Sequence, residues 1–307
     1  MRYICAQPAT KYYVWQVEVM INNFVKNGIN LNNVDIVCFK NGTIPEEWSK
    51  LANNYAARFF FYDDIRESKT YISSIRPNIL KQHFFNHPYL SEEVIFYHDC
   101  DIVFTKPVNF DKFENDNIFY GSDTRWYIGH DYIISKGEDI LDKMCEILNI
   151  DKQLIKDNEL NSIGAQYIMK NINYEFWEKV ENDSERLFKE ITDLNNIKKL
   201  ENPQYHELQI WCADMWAVLW NIWKLGIKTV CHDDLLFAWG TSSIQEWDRL
   251  NIFHNAGVVN SNSGLFYKSD YMNNFPYNED LNINESTASY KYWQEIKETA
   301  KVTVLNI

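Results

Sequence analysis

Short apolar runs recur through the first third of the chain, each closed by a polar turn and separated from the next by a stretch of helical spacing. Arg2–Ala6 predicts a first strand closed by Gln7-Pro8, Val34–Phe39 a second closed by Asn41-Gly42, and Ala57–Tyr62 a third ending in Asp63-Asp64. Between them, Trp15–Val25 repeats apolar residues at helical intervals, and Pro45–Asn53 predicts another helix. Pro77, placed as a first helical residue, opens a helix to about Phe85. Val94–Tyr97 is the fourth strand and runs directly into His98-Asp99-Cys100-Asp101. Such alternation predicts an α/β fold with a mostly parallel sheet flanked by helices, and ligands beyond the carboxyl ends of its strands. Gln7-Pro8, Asp63-Asp64 and Asp99–Asp101 all fall at such ends.

The second half is less regular. Asn117–Gly121 and Asp131–Ser135 read as strands, and Ile140–Leu148 and Glu175–Glu190 as helices. Glu207–Leu225 reads as one long aromatic-rich helix, and Tyr290–Thr299 as a C-terminal helix. Without repeats or a linker-like stretch, the expectation is one continuous domain over 1–275 and a helical extension over 276–307.

Composition removes several function classes. An aromatic content of 16% over 307 residues excludes intrinsic disorder. A formal charge of −13 with no local basic patch argues against a nucleic-acid partner. No run reaches the ~20 apolar residues of a transmembrane helix, and the N-terminus turns polar too early for a signal peptide. The cysteines are scattered and form no CxxC pair, which suggests a reducing compartment; a cytoplasmic protein is the expectation.

The densest chemistry is Ile95-Phe96-Tyr97-His98-Asp99-Cys100-Asp101-Ile102-Val103-Phe104. Two carboxylates two residues apart at the end of a buried strand concentrate negative charge, and a hard divalent cation such as Mn²⁺ or Mg²⁺ is the natural compensation. A metal held there can bridge a diphosphate.

This segment resembles the Asp-x-Asp motif of GT-A-fold glycosyltransferases, which follows a nucleotide-binding βαβ region. The resemblance implies that 1–105 is a nucleotide-binding half and 106–275 an acceptor half. It also implies that Asp99 and Asp101 hold Mn²⁺ or Mg²⁺ and, through it, the diphosphate of a nucleotide sugar, a UDP-hexose foremost. Ile252-Phe253-His254-Asn255-Ala256-Gly257 is similar to the late His-x-x-Gly element of retaining members of the fold. His254 would be the third metal ligand and Lys268 a diphosphate contact, although Lys268 stands farther from the histidine than in the nearest pattern.

Further positions follow from the same resemblance. Asn161-Ser162-Ile163-Gly164-Ala165-Gln166 is similar to the segment lining the sugar pocket, with Gly164 admitting close approach and Gln166 donating to a hydroxyl. Asp214, an acid among aromatic residues, is the first choice for the carboxylate or amide beneath the anomeric carbon, followed by Gln209 and Glu207. Ala6, Gln7, Asp63 or Asp64, Arg76 and Lys81 are the candidate donor contacts. Trp126, Trp211, Trp239, His130 and Asp131 are candidates for the sugar or a glycan acceptor. Metal-dependent hexosyl transfer with retention is the activity implied.

Two rivals come from other classes. Asp99-Cys100-Asp101-Ile102-Val103 also satisfies the Asp-x-Asp-x-Thr/Val pattern of haloacid-dehalogenase-like phosphatases, with Asp99 as nucleophile, but three strands precede it and no Gly-Asp-Gly element follows. A non-catalytic sugar-binding relative is the other.

Overall fold

The computed structural model describes residues 1–261 and 264–305; the last two residues of the expected 276–307 extension lie outside the described residues. The regular elements are β1 (Arg2–Pro8), α1 (Lys11–Lys26), β2 (Val34–Phe39), α2 (Glu46–Asn54), β3 (Arg58–Tyr62), α3 (Ile75–Asn86), β4 (Ile95–Tyr97) and β5 (Ile102–Phe104). They continue with β6 (Phe119–Asp123), α4 (Arg125–Ile128), α5 (His130–Ile134), α6 (Glu138–Leu148), α7 (Lys152–Asp157), β7 (Ile163–Met169), α8 (Tyr174–Glu201) and α9 (Ala213–Lys224). β8 (Thr229–Cys231), β9 (Phe237–Trp239), α10 (Ile244–Arg249), β10 (Ile252–His254) and α11 (Ala288–Ala300) complete the fold. Strands follow one another in the orders β3-β2-β1 and β7-β6-β8, and three more form a sheet in the order β5-β10-β9.

The chain divides into two compact units, the first being 1–63, 97–112 and 233–307, the second 64–96 and 113–232. In the first, β2 pairs in parallel with both β1 and β3. Six of the seven residues of β1 are buried, so burial does not alternate along the strand, as expected of a parallel strand covered on both faces. α1 buries Val14, Trp15, Val17, Met20, Ile21 and Phe24, and α11 packs against it and against α10.

Glu18, also on α1, is a carboxylate with no exposed surface. Tyr55 Oη and the Val304 amide donate to Oε1 at 3.1 and 2.8 Å, and Tyr277 Oη and Thr303 Oγ1 donate to Oε2 at 2.6 and 2.7 Å. One acid thus ties the chain's C-terminal segment to its first helix. Glu18→Gln replaces an acceptor with a donor where four donors converge. It is expected to cost about 1–3 kcal/mol in urea denaturation; an unchanged midpoint would show that this network does not hold the segment.

In the second unit, β7 pairs antiparallel with β6, and β6 pairs in parallel with β8. A register shift between Gly121 and Ser122 marks a bulge opposite Ala165, whose φ is +62°. The 28-residue α8 carries α3, α6 and α9 on its flanks.

Four expectations need correction. Asp131–Ser135 is not a strand: His130–Ile134 is the short helix α5, entered from Gly129. α3 starts two residues before Pro77, so the proline is its third residue, still inside the first turn, where no intrahelical N–H is required. The helix expected from Glu207 begins at Ala213, after a single tight turn over Ile210–Cys212. The Ile210 amide bonds the Leu208 carbonyl instead of a helical partner, which keeps 207–209 out of the helix. The helix expected to end at Glu190 runs on to Glu201.

Candidate metal centre

The acidic turn is fixed from both ends within the first unit. The His98 amide donates to Ile4 O of β1 at 3.0 Å, and the His98 ring Nδ1 lies 2.9 Å from Asp99 O. Burial lowers the His98 pKa to about 4, so the ring is neutral at pH 7 and its Nδ1–H is the donor in that contact. Downstream, β5 is flanked on one edge by β10 and on the other by a side chain. Asn23 of α1 accepts from Phe104 N at 2.8 Å and donates to Phe104 O at 3.0 Å, imitating a neighbouring strand.

The antiparallel register of β5 and β10 sets His254 against Ile102, and Asn255 N donates to Asp101 O at 3.0 Å. His254 thereby reaches the acidic pair despite the long chain between them. Its Nε2 lies 3.2 Å from Asp101 Oδ1 and 3.5 Å from Asp99 Oδ2. One ligand atom from each of the three residues lies within 4.8 Å of the others. Adjacent ligands of an octahedral Mg²⁺-sized ion at ~2.1 Å are about 3.0 Å apart, so the two distances from His254 Nε2 are close to those between neighbouring vertices around one small cation. Two carboxylate oxygens and one imidazole nitrogen are also donors that Mn²⁺ accepts. The residues fit the group.

Electrostatics differ between the two acids. Asp99 keeps a third of its side chain exposed, whereas Asp101 is buried. Burial pushes the Asp101 carboxyl up, but Lys268 and His254 beside it outweigh that and hold it well below the usual carboxylate range. Lys268 Nζ donates to Asp101 Oδ2, the oxygen turned away from His254. Burial lowers the lysine's pKa and the charge of Asp101 more than restores it, so the ammonium is retained.

The loop after His254 is shaped by two glycines. Gly257 has φ +84°, a conformation that favours glycine, and an added Cβ would lie 3.3 Å from the Trp239 ring. At Gly240 a Cβ would come within 2.7 Å of Val258 Cγ2, and Gly240 N donates to Ala256 O at 3.0 Å. Trp239 stacks nearly parallel to the His254 ring, with centroids 6.5 Å apart, and Phe237 contacts its edge.

Other sequence candidates in this unit face elsewhere. Ala6 and Gln7 are buried, and Gln7 Nε2 donates to Val37 O and Cys38 Sγ on the neighbouring strand. Asp63 is exposed and pairs with Lys40 at 2.6 Å.

The second unit gathers a different cluster at the start of α9. Asp214, 7% exposed, receives Tyr71 Oη on Oδ1 at 2.7 Å and Arg76 Nη2 on Oδ2 at 2.6 Å. The Tyr71 hydroxyl also lies 2.6 Å from Trp211 O. Burial and the Asp214 charge raise the phenol's pKa, keeping it protonated. The segment bearing Tyr71 is strapped to α8 by buried Glu185, which accepts from Ser68 Oγ, Thr70 N, Tyr71 N and Ser74 Oγ at 2.5–3.2 Å. Asp64 instead holds Arg66 at 2.9 Å.

Arg76 pairs with Asp214, whereas Lys81 Nζ pairs with Glu181 of α8 at 2.8 Å. Gln166 has no exposed surface and its Nε2 donates to Ser122 Oγ at 2.5 Å. A Cβ on Gly164 would come within 2.6 Å of Met215 Cε and Thr124 Oγ1, so these side chains would have to shift. Gln209 and Glu207 are exposed, the latter 3.3 Å from Lys199. His130 Nδ1 lies 2.9 Å from Asp131 Oδ1. Trp126 and Trp211 are 80% and 60% exposed, enough bare indole for a stacking ligand. Tyr71, Glu185 and Asn23 were not singled out by sequence; they sit in polar or helical contexts with no motif spacing to mark them.

No family profile and no curated protein matches the chain. Among solved structures, the apo WbbM bifunctional glycosyltransferase is 11% identical with a TM-score of 0.50, covering 99% of this chain and 52% of its own. This chain has the GT-A fold. It spans about half the length of WbbM. The galactosyltransferase LgtC, in complex with donor and acceptor sugar analogues, is 9% identical with a TM-score of 0.46, covering 100% of this chain and 98% of its own. Glycosyltransferase GlyE of Streptococcus pneumoniae TIGR4, in its apo form, is 11% identical with a TM-score of 0.43, covering 99% and 62%. Among the described residues no helix is long and apolar enough to cross a membrane.

Proposed function

We propose that this protein is a metal-dependent glycosyltransferase that moves a hexose from a nucleotide sugar, a UDP-sugar foremost, to a glycan acceptor with retention at the anomeric carbon. The observation that carries the reading is the Asp99, Asp101 and His254 cluster, with Lys268 on its flank, on a GT-A fold. A divalent ion bound there would supply positive charge to the departing diphosphate. Asp99 and Asp101 would hold the ion, and β10 brings the His254 imidazole to them beside Phe237 and Trp239 of β9. Lys268 adds a point charge for phosphate oxygens, and stabilisation of this kind counts most in the transition state, where the leaving group is most negative. Trp126 and Trp211 offer flat faces to sugar rings. Asp214 acts in the acceptor half through the geometry it imposes with Arg76 and Tyr71.

The test is a panel of UDP- and GDP-sugars with Mn²⁺ or EDTA, scored by nucleotide release, with the product anomer read by proton NMR. Metal-dependent release from one donor is expected. Phosphate release from sugar phosphates in its place would point to the phosphatase class, and binding without release to a sugar-binding relative. A companion measurement follows from ligand linkage: UDP should raise the melting temperature only when Mn²⁺ or Mg²⁺ is present. An equal shift in EDTA would contradict a metal-bridged diphosphate.

A further inference from the structure

Lys268 stands where the two charges of this site meet. Its ammonium donates to Asp101 Oδ2, while the other carboxylate oxygen lies 3.2 Å from His254 Nε2. Asp101 is only 6% exposed, so protein groups, not water, compensate its charge. The Lys268 side chain keeps 27% of its surface exposed, which leaves the flexible stem a path outward. A dication sharing Asp101 from its other oxygen would repel that ammonium across a single carboxylate, in a setting where water screens poorly.

We propose that Lys268 couples the cation site to the diphosphate site: it competes with the divalent ion for the charge of Asp101, and the arriving ion frees it to meet the nucleotide. The inference rests on the metal-centre reading above and adds a sign to it. A lysine that only contacts diphosphate leaves the affinity for metal alone unchanged. A coupling lysine lowers that affinity, and by reciprocity the metal strengthens the lysine's contribution to nucleotide binding. A purely structural lysine, once lost, weakens both.

The experiment is a Mn²⁺ titration of the full chain without nucleotide, following the electron paramagnetic resonance signal of free Mn²⁺, for the native protein and Lys268→Gln. The variant is expected to bind Mn²⁺ about tenfold more tightly, and to bind UDP in saturating Mn²⁺ about tenfold more weakly. Lys268→Arg, which keeps the charge, should stay close to the native values. Labelling of the native protein with acetic anhydride, read by peptide mass spectrometry, gives a second readout that needs no variant: modification of Lys268 should rise several-fold when Mn²⁺ is added. Equal or weaker Mn²⁺ binding by Lys268→Gln, or labelling that Mn²⁺ leaves unchanged, would overturn the coupling. Absence of Mn²⁺ binding in both proteins would overturn the metal-centre reading with it.

Discussion

Asp101→Asn is expected to lower metal-dependent turnover by about a thousandfold or more. Asp101 is the most constrained member of its cluster, buried between His254 on Oδ1 and Lys268 on Oδ2. An amide there keeps the volume but removes the charge, and it turns an NH₂ group toward either a prospective ligand nitrogen or an ammonium. The first occupies the lone pair a cation needs and the second repels the lysine, so cation affinity and phosphate electrostatics should fail together. The backbone contact from Asn255 N to Asp101 O does not depend on the side chain, so β5 and β10 should stay paired. The measurement is nucleotide release from the best donor across Mn²⁺ concentrations, with circular dichroism as the control for folding. Turnover within tenfold of the native rate would sink the three-ligand centre. Asp99, partly exposed, should be less sensitive to the same change.

Asp214→Asn should lower kcat/KM by roughly a hundredfold, with a smaller change in donor affinity. Both carboxylate oxygens are engaged, one by the Tyr71 hydroxyl and one by the Arg76 guanidinium. An asparagine can accept from one of them only, leaving the other partner facing an NH₂ group. The loss should therefore be shared with Arg76. In a double-mutant cycle, Asp214→Asn combined with Arg76→Gln should cost much less than the sum of the single changes, because the second removes a contact already broken. Additive losses would mean that Asp214 acts independently of Arg76. Near-native turnover of Asp214→Asn would reduce it to an ordinary first-turn acid stabilised by the helix dipole, and the catalytic assignment would pass to Gln209 or Glu207.

Why some positions were legible and others not comes down to the range of the forces involved. β1, β2 and β3 are short, largely apolar runs that end in polar turns, so local pattern located them to within two residues. The acidic pair was visible because its spacing and its strand are contiguous in sequence. Three-residue strands such as β5, β8 and β9 carry too little pattern to separate from loop, and they exist because neighbours pair with them. Asp131–Ser135 has strand-like composition, yet the chain leaving Gly129 has its amides taken up locally, with His130 N donating to Glu159, and it coils into α5.

Sequence by itself determined the alternation that makes an α/β sheet, the place of the acidic turn at the end of β4, and the chemical types of Asp99, Asp101, His254 and Lys268. These are properties of contiguous residues, set by burial period and side-chain chemistry. Only the tertiary structure decided that the register of β5 against β10 carries His254 onto the acidic pair, and that Lys268 is bonded to Asp101. It also decided that both oxygens of Asp214 are taken by Tyr71 and Arg76, and that Gln166 faces the interior. Strand register and side-chain pairing arise from contacts between residues far apart in the chain, and such contacts leave no periodic trace along it.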